Sequence, residues 1–148
     1  MYNKSLSAFV ALAATLACSV PAWAEDLTDV DEIVKRTNHA AYYQGEGGRA
    51  KVHMTIKDDQ GREREREFTI LRLDTEEDKD GEQKYYVYFH RPADVREMVF
   101  MVHKHLGTDD DRWLYLPALD VVKRIAASDE RTSFVGSHFF YEDVSGRN

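Results

Sequence analysis

The sequence predicts a mainly β domain, one amphipathic α-helix followed by an antiparallel sheet of six or seven strands. Three observations carry this. The apolar residues of 29–43 recur every three or four positions, the period changes to two from Lys51 onward, and short apolar runs then follow one another at hairpin spacing. The 148 residues, of which 43% are hydrophobic and 11% aromatic, suffice for one core and are too apolar for a disordered chain. With 27 acidic against 20 basic residues and no long basic run, nucleic acid is excluded as a partner.

The N-terminus reads as an export signal. Lys4 precedes an apolar stretch from Leu6 to Cys18, Pro21 breaks it, and Ala22-Trp23-Ala24 supplies small residues for cleavage after Ala24. The run is too short to span a bilayer. Leu16-Ala17-Cys18 fits a lipidation site less well, because Thr15 stands where a Leu is wanted. Cleavage would remove Cys18, the only cysteine, which suits an oxidising compartment. Residues 1–24 are therefore expected to be a signal peptide, residues 25–148 one exported periplasmic domain, and the mature chain to keep no membrane span.

In the helix, Val30, Ile33, Val34, Thr37, Ala40 and Ala41 form one stripe, with Thr28 expected as the cap and Gly45 to Gly48 as the stop. Val52, Met54 and Ile56 then alternate with polar residues, Asp58-Asp59-Gln60-Gly61 signals a hairpin, and Arg62 to Leu73 is the return strand. Its first half alternates Arg and Glu, so one face is basic and the other acidic; it reads as a charged edge ribbon that discourages aggregation, with a binding patch as the alternative. Further strands are expected at Lys84–His90, Glu97–His105, Trp113–Leu116, Leu119–Ile125 and Phe134–Tyr141. The acidic 75–83 loop mimics a calcium loop, but Val87 stands where the closing Glu belongs.

Catalytic chemistry finds little support. No Ser lies in a Gly-flanked elbow, and no thiol survives export. His103 and His105, followed by Asp109, Asp110 and Asp111, could start a zinc site and a metallohydrolase, but no third ligand has a fixed spacing. No catalytic residue, metal or cofactor is assigned, and the protein is expected not to be an enzyme. The stronger signal is apolar surplus: Tyr85–Phe89, Met98–Val102 and Trp113–Leu116 are apolar on both faces, with one helix to cover them. Such strands need cover from protein or from a ligand. Tyr86, Tyr88, Phe100, Val102, Trp113, Leu114 and Leu116 are the candidate lining of a greasy cavity, and Phe100→Glu is expected to empty it while leaving the strands intact.

Asp111-Arg112-Trp113-Leu114-Tyr115-Leu116-Pro117-Ala118-Leu119, Lys123-Arg124-Ile125, Ser133-Phe134-Val135-Gly136-Ser137 and Phe140-Tyr141-Glu142-Asp143 together resemble the outer-membrane lipoprotein-sorting family, the LolA-like proteins. The resemblance implies an incomplete (half) β-barrel with helices as a lid. It also implies a periplasmic carrier of lipoprotein acyl chains or other lipids toward the outer membrane. A lipid-sensing or transporter-accessory protein on the same fold, with an inner-membrane transporter as partner, is the alternative. His90-Arg91-Pro92 resembles the family's Lys-Arg-Pro turn, which makes Arg91 the expected latch of the lid. Full members continue past the Tyr-Glu-Asp segment, so the domain is expected to be truncated at its C-terminus.

Overall fold

A computed structural model describes residues 26–76 and 79–146; the expected signal peptide lies outside the described residues. α1 (Val30–Tyr42) is followed by six strands: β1 (Gly47–Lys57), β2 (Glu63–Asp74), β3 (Gln83–Arg91), β4 (Val99–Lys104), β5 (Asp111–Leu116) and β6 (Val121–Ile125). All pair antiparallel in chain order, one meander β1-β2-β3-β4-β5-β6. β1 and β6 do not pair with each other, so the sheet is open, as a half-barrel requires.

Each element follows from local chemistry. α1 is capped by Asp29, whose carboxylate accepts from the backbone N–H groups of Asp31 and Glu32, rather than by Thr28; an aspartate one residue closer to the first turn reaches both orphan donors. The β1–β2 hairpin closes where Asp58 accepts from the N–H groups of Gln60 and Arg62, with Gly61 in the left-handed conformation the turn demands. The charged ribbon is paired with β1 on one side, with Lys57–Glu63 at 3.1 Å and His53–Glu65 at 3.6 Å across the strands. Its pairing with β3 begins only at Glu67, where a bulge shifts the register.

Strand alternation divides the sheet into two faces. The inner face holds the core: Phe68, Tyr85, Val87, Phe89, Met98, Phe100, Val102 and Ile125, joined by Phe134 from beyond β6. Opposite pairs Tyr86–Met101, Met101–Trp113, Tyr88–Val99 and Val99–Tyr115 place those residues on the outer face.

Two expectations are corrected. Phe134–Tyr141 is not a seventh strand: apart from one bridge between Ser133 and Phe140 it is a folded loop, because Val135 and Gly136 both take positive φ and cannot extend. Nor does the helix cover the core. α1 buries none of its residues, and residues 126–146 form the roof of the inner face instead. Phe134 packs its ring 5.6–6.1 Å from those of Phe68, Phe89 and Phe100, and Tyr141 lies 5.1 Å from Phe100. Polar ties hold the roof down. The Arg112 guanidinium, buried with Asp110 at 2.7 Å, also reaches Glu130 at 3.1 Å, and Lys104 Nζ donates to the carbonyl of Ser145 at 2.9 Å.

Candidate functional site

The roof does not fill the inner face completely. Between it and the β1–β2 hairpin lies an apolar cleft of about 300 Å³. Val52, Met54, Phe68 and Ile70 form its floor, and Phe134, Phe139 and Val144 its roof, with His53 and Asp143 at the sides. The floor is a direct consequence of period two: Val52 pairs with Phe68 and Met54 with Arg66, so the alternate residues of both strands turn to one side. Among the described residues β1 is an edge strand with no neighbour beyond it, which leaves Val52 and Met54 only half-buried. Phe139 is 59% exposed, an aromatic ring held at the mouth rather than in the core. Asp143 accepts from the N–H of Phe140 at 2.8 Å and so stiffens the roof beside the opening.

The seven residues expected to line one cavity fall on two faces. Tyr86, Tyr88 and Trp113 are on the outer face, where with Val99, Met101, Tyr115 and Val122 they edge a second apolar hollow of about 550 Å³. Phe100 and Val102 are fully buried on the inner face, and Leu114 and Leu116 pack partly buried against the same core. One ligand cannot touch both sets through a single sheet. Phe100 is also unsuited to emptying a cavity selectively, since a glutamate there would bury a charge beneath Phe134 and Tyr141. The alternation of Val52, Met54 and Ile56 was the signal for the cleft. What it could not supply was the roof over it.

Arg91 does not latch the helix. Its side chain is 75% exposed and pairs with Glu67 at 3.2 Å, at the cis peptide where β3 gives way to Pro92. The geometry expected of it belongs to Arg72, on the inner face of β2. That guanidinium donates to the carbonyl oxygens of Tyr42, Gln44 and Gly45, and its Nε lies 3.3 Å from Asp74. Buried Gln83 donates from Nε2 to the same Tyr42 carbonyl and to Asp74, both at 2.7 Å, and accepts from the Tyr85 hydroxyl at 2.8 Å. Burial of Tyr85 pushes its hydroxyl well above the ordinary phenol range, so it stays a donor. His39–Asp80 at 2.7 Å and Tyr43–Gly81 at 3.1 Å complete the anchorage of α1 by its last turn.

The two histidines proposed as metal ligands have separate neighbours. His103 stacks edge-on against Trp113 at 5.1 Å. His105 spans Glu82 at 3.1 Å and Asp111 at 3.3 Å, and Asp111 is also bound by Arg124. The hydrogen bond His105 donates to Glu82 raises the His105 pKa, and the one it donates to Asp111 lowers the Asp111 pKa. Among the described residues no cluster of three His, Cys, Asp or Glu side chains is arranged to hold a metal.

Comparison with known proteins agrees with this architecture. A family model described as an uncharacterized protein matches residues 81–148, the stretch from β3 to the roof. A DUF1329 family protein from Desulfovibrio piger is 28% identical and superposes with a TM-score of 0.67, over 78% of this chain and 47% of its own. A putative outer membrane lipoprotein-sorting protein domain from Vibrio parahaemolyticus is 32% identical with a TM-score of 0.65, over 75% of this chain and 46% of that one. No curated protein matches. The chain spans just under half the length of either structure. The expected resemblance to the lipoprotein-sorting, LolA-like fold is borne out.

Proposed function

We propose that this chain is an envelope lipid carrier, not an enzyme, and that it buries an acyl chain of a lipid or lipid-modified protein in the inner-face cleft. One observation carries this: in a fold similar to a lipoprotein-sorting domain, the apolar floor Val52–Met54–Phe68–Ile70 is left open beneath an aromatic roof. About 300 Å³ is at the small end of ligand pockets, enough for part of one chain. Each methylene withdrawn from water contributes about 0.8 kcal/mol, so a few of them hold a tail reversibly and permit transfer onward. Phe139 and the flexible thioether of Met54 can yield to the guest.

The outer hollow is the weaker site, because it is lined by the sheet and Glu97 with no covering segment among the described residues. An exported, periplasmic location is supported by the sorting role in that relative's name and by the N-terminal Ala-Trp-Ala signal. No helix of the described residues is long and apolar enough to cross a membrane.

The test is binding of an NBD-labelled dodecanoyl ester to the full chain and to Val52→Asp, Phe139→Asp and Tyr86→Glu. The first two variants should lose most of the fluorescence gain and Tyr86→Glu should keep it. Loss confined to Tyr86→Glu would move the site to the outer face, and no gain in any form would end the carrier proposal.

A further inference from the structure

The inner face of β2 is not uniformly apolar. Read along the strand, its inward positions are Arg64, Arg66, Phe68, Ile70 and Arg72, continuous in register with Ile56, Met54, Val52, Ala50 and Gly48 of β1. Along β2 the apolar residues of the cleft floor are thus flanked by arginines, Arg66 on one side and Arg72 on the other, which do not themselves line the cleft. Arg72 is consumed by the helix carbonyls. Arg64 and Arg66, at the other end, have fewer partners.

Arg66 is 8% exposed. Its Nη1 donates to the carbonyl of Glu65 at 2.9 Å, and its Nη2 lies 3.5 Å from the carboxylate of Asp94, a residue mostly in solvent. Its Nε is buried with no hydrogen-bond partner among the described residues. A guanidinium so far withdrawn from water, with one donor orphaned and a single counter-ion that is itself largely in solvent, has room for a further acceptor. Arg64 donates to the carbonyl of Gly136 at 3.2 Å and takes part in no ion pair among the described residues. That contact sets it against the roof loop that carries Phe134 and Phe139. Arg66 in turn stands opposite Met54, which lines the cleft. The one carboxylate lining the cleft, Asp143, already accepts from the N–H of Phe140.

We infer that the ligand of this cleft is an acyl chain bearing an anionic headgroup, a phosphate or carboxylate, held by Arg66 and Arg64. The tail lies on Val52, Phe68 and Ile70, and the headgroup sits at the arginine end of the hairpin. A planar fork presents parallel N–H donors that match two oxygens of such a group, and the low dielectric around Arg66 strengthens the pairing. The inference deepens the carrier proposal and rests on it.

The full chain is titrated with monomeric dioctanoylphosphatidylglycerol, with dioctanoylglycerol, which has the same tails and no charge, and with inorganic phosphate. The anionic lipid should bind about tenfold tighter than the neutral one at about 20 mM salt, with the ratio falling towards unity at about 500 mM. Arg66→Met, which keeps the apolar stem, should bring the ratio below about threefold with the neutral lipid unaffected. Arg64→Gln, on an exposed side chain whose one hydrogen bond is to the Gly136 carbonyl, should lower the ratio in the same direction. Equal binding of both lipids by the unmodified chain, or an undiminished ratio in both variants, overturns the headgroup assignment and leaves the acyl site standing. Phosphate bound as tightly as the anionic lipid assigns the arginines to a free anion and overturns it too. Binding of neither lipid overturns the carrier proposal itself.

Discussion

The guanidinium of Arg72 donates to the carbonyl oxygen of Tyr42, the last residue of α1, across thirty positions of sequence. The last turn of a helix has no N–H groups of its own for its terminal carbonyls, and here β2 provides them. Gln83 gives Tyr42 a second donor, and the Gln44 and Gly45 carbonyls complete the set on Arg72. Because α1 buries no side chain, this cluster with His39 and Tyr43 is what fixes the helix to the sheet. The helix is held by one end, and its apolar stripe, with Val30 69% exposed, is not used against the core.

Arg72→Met should therefore cost about 1.5–3 kcal/mol of stability, the range for hydrogen bonds to a charged group. Hydrogen exchange should show the loss concentrated in α1, with amides of 30–42 opening while β3 and β4 stay protected. Arg72→Lys should recover less than half, since an ammonium cannot span three carbonyls as a planar fork does. Equal loss of protection throughout the sheet would show that Arg72 supports the core and not the helix.

The roof gives a second expectation. Phe134 is 3% exposed and touches four other rings, so Phe134→Ala should destabilise by about 3–5 kcal/mol in urea unfolding. The same variant should admit a hydrophobic dye to Phe68 and Phe100, whose cover it removes. A loss below about 1 kcal/mol would mean that the roof is dispensable to the fold.

Much of this architecture could be read from local pattern. The alternation of Val52, Met54 and Ile56, the Asp-Asp-Gln-Gly turn and the β-branched and aromatic runs after it place β1 to β6 near their true bounds, because each depends on residues two or four positions apart. Phe134–Tyr141 shares that composition, but Val135 and Gly136 take positive φ, which residue type alone did not betray. Likewise a strand apolar on both sides, such as Tyr85–Phe89, does not say which side is covered. That depends on a segment fifty residues later, so Tyr86 and Phe100 were grouped although the sheet separates them. Arg72, set between Leu71 and Leu73, looks like any polar residue of a strand until Tyr42 arrives beside it. Chemistry that relies on distant pairing leaves no trace in spacing.

Roof attachment offers a third. Arg112 and Asp110 are an almost fully buried ion pair, and Asp110 also accepts from the Ser145 hydroxyl at 3.3 Å. Removing Asp110 leaves Arg112 enclosed with Glu130 as its remaining counter-ion, so Asp110→Asn should cost about 2–4 kcal/mol, towards the lower part of the range for a broken buried pair. Replacing both by apolar residues, Asp110→Leu with Arg112→Met, should cost less than that single change. Denaturant midpoints of the three forms decide it, and a double variant worse than Asp110→Asn would show the pair to be a net source of stability.

The last expectation concerns pH. His105 bridges Glu82, just before β3, and Asp111 at the start of β5, with its pKa raised above the ordinary 6.5 chiefly by the hydrogen bond it donates to Glu82. A raised histidine pKa means that the folded chain binds the proton more tightly than the unfolded one. Its contribution is fully present below pH 6.5 and is lost as pH rises through the folded value. The Asp111 pKa is lowered, first by His105 and then by Arg124, so its contribution is present above its unfolded pKa and is lost as pH falls through the folded one. The two overlap in mildly acid solution, where both partners are charged. His105→Gln should consequently lose most stability, relative to the unmodified chain, between about pH 5 and 6, and progressively less as pH rises through the folded value, above which the imidazole is neutral in either state. Melting temperatures of the two forms across this range are the measurement. A difference that grows from acid to alkaline pH would show that the neutral ring, acting as a spacer between Glu82 and Asp111, is what the fold requires.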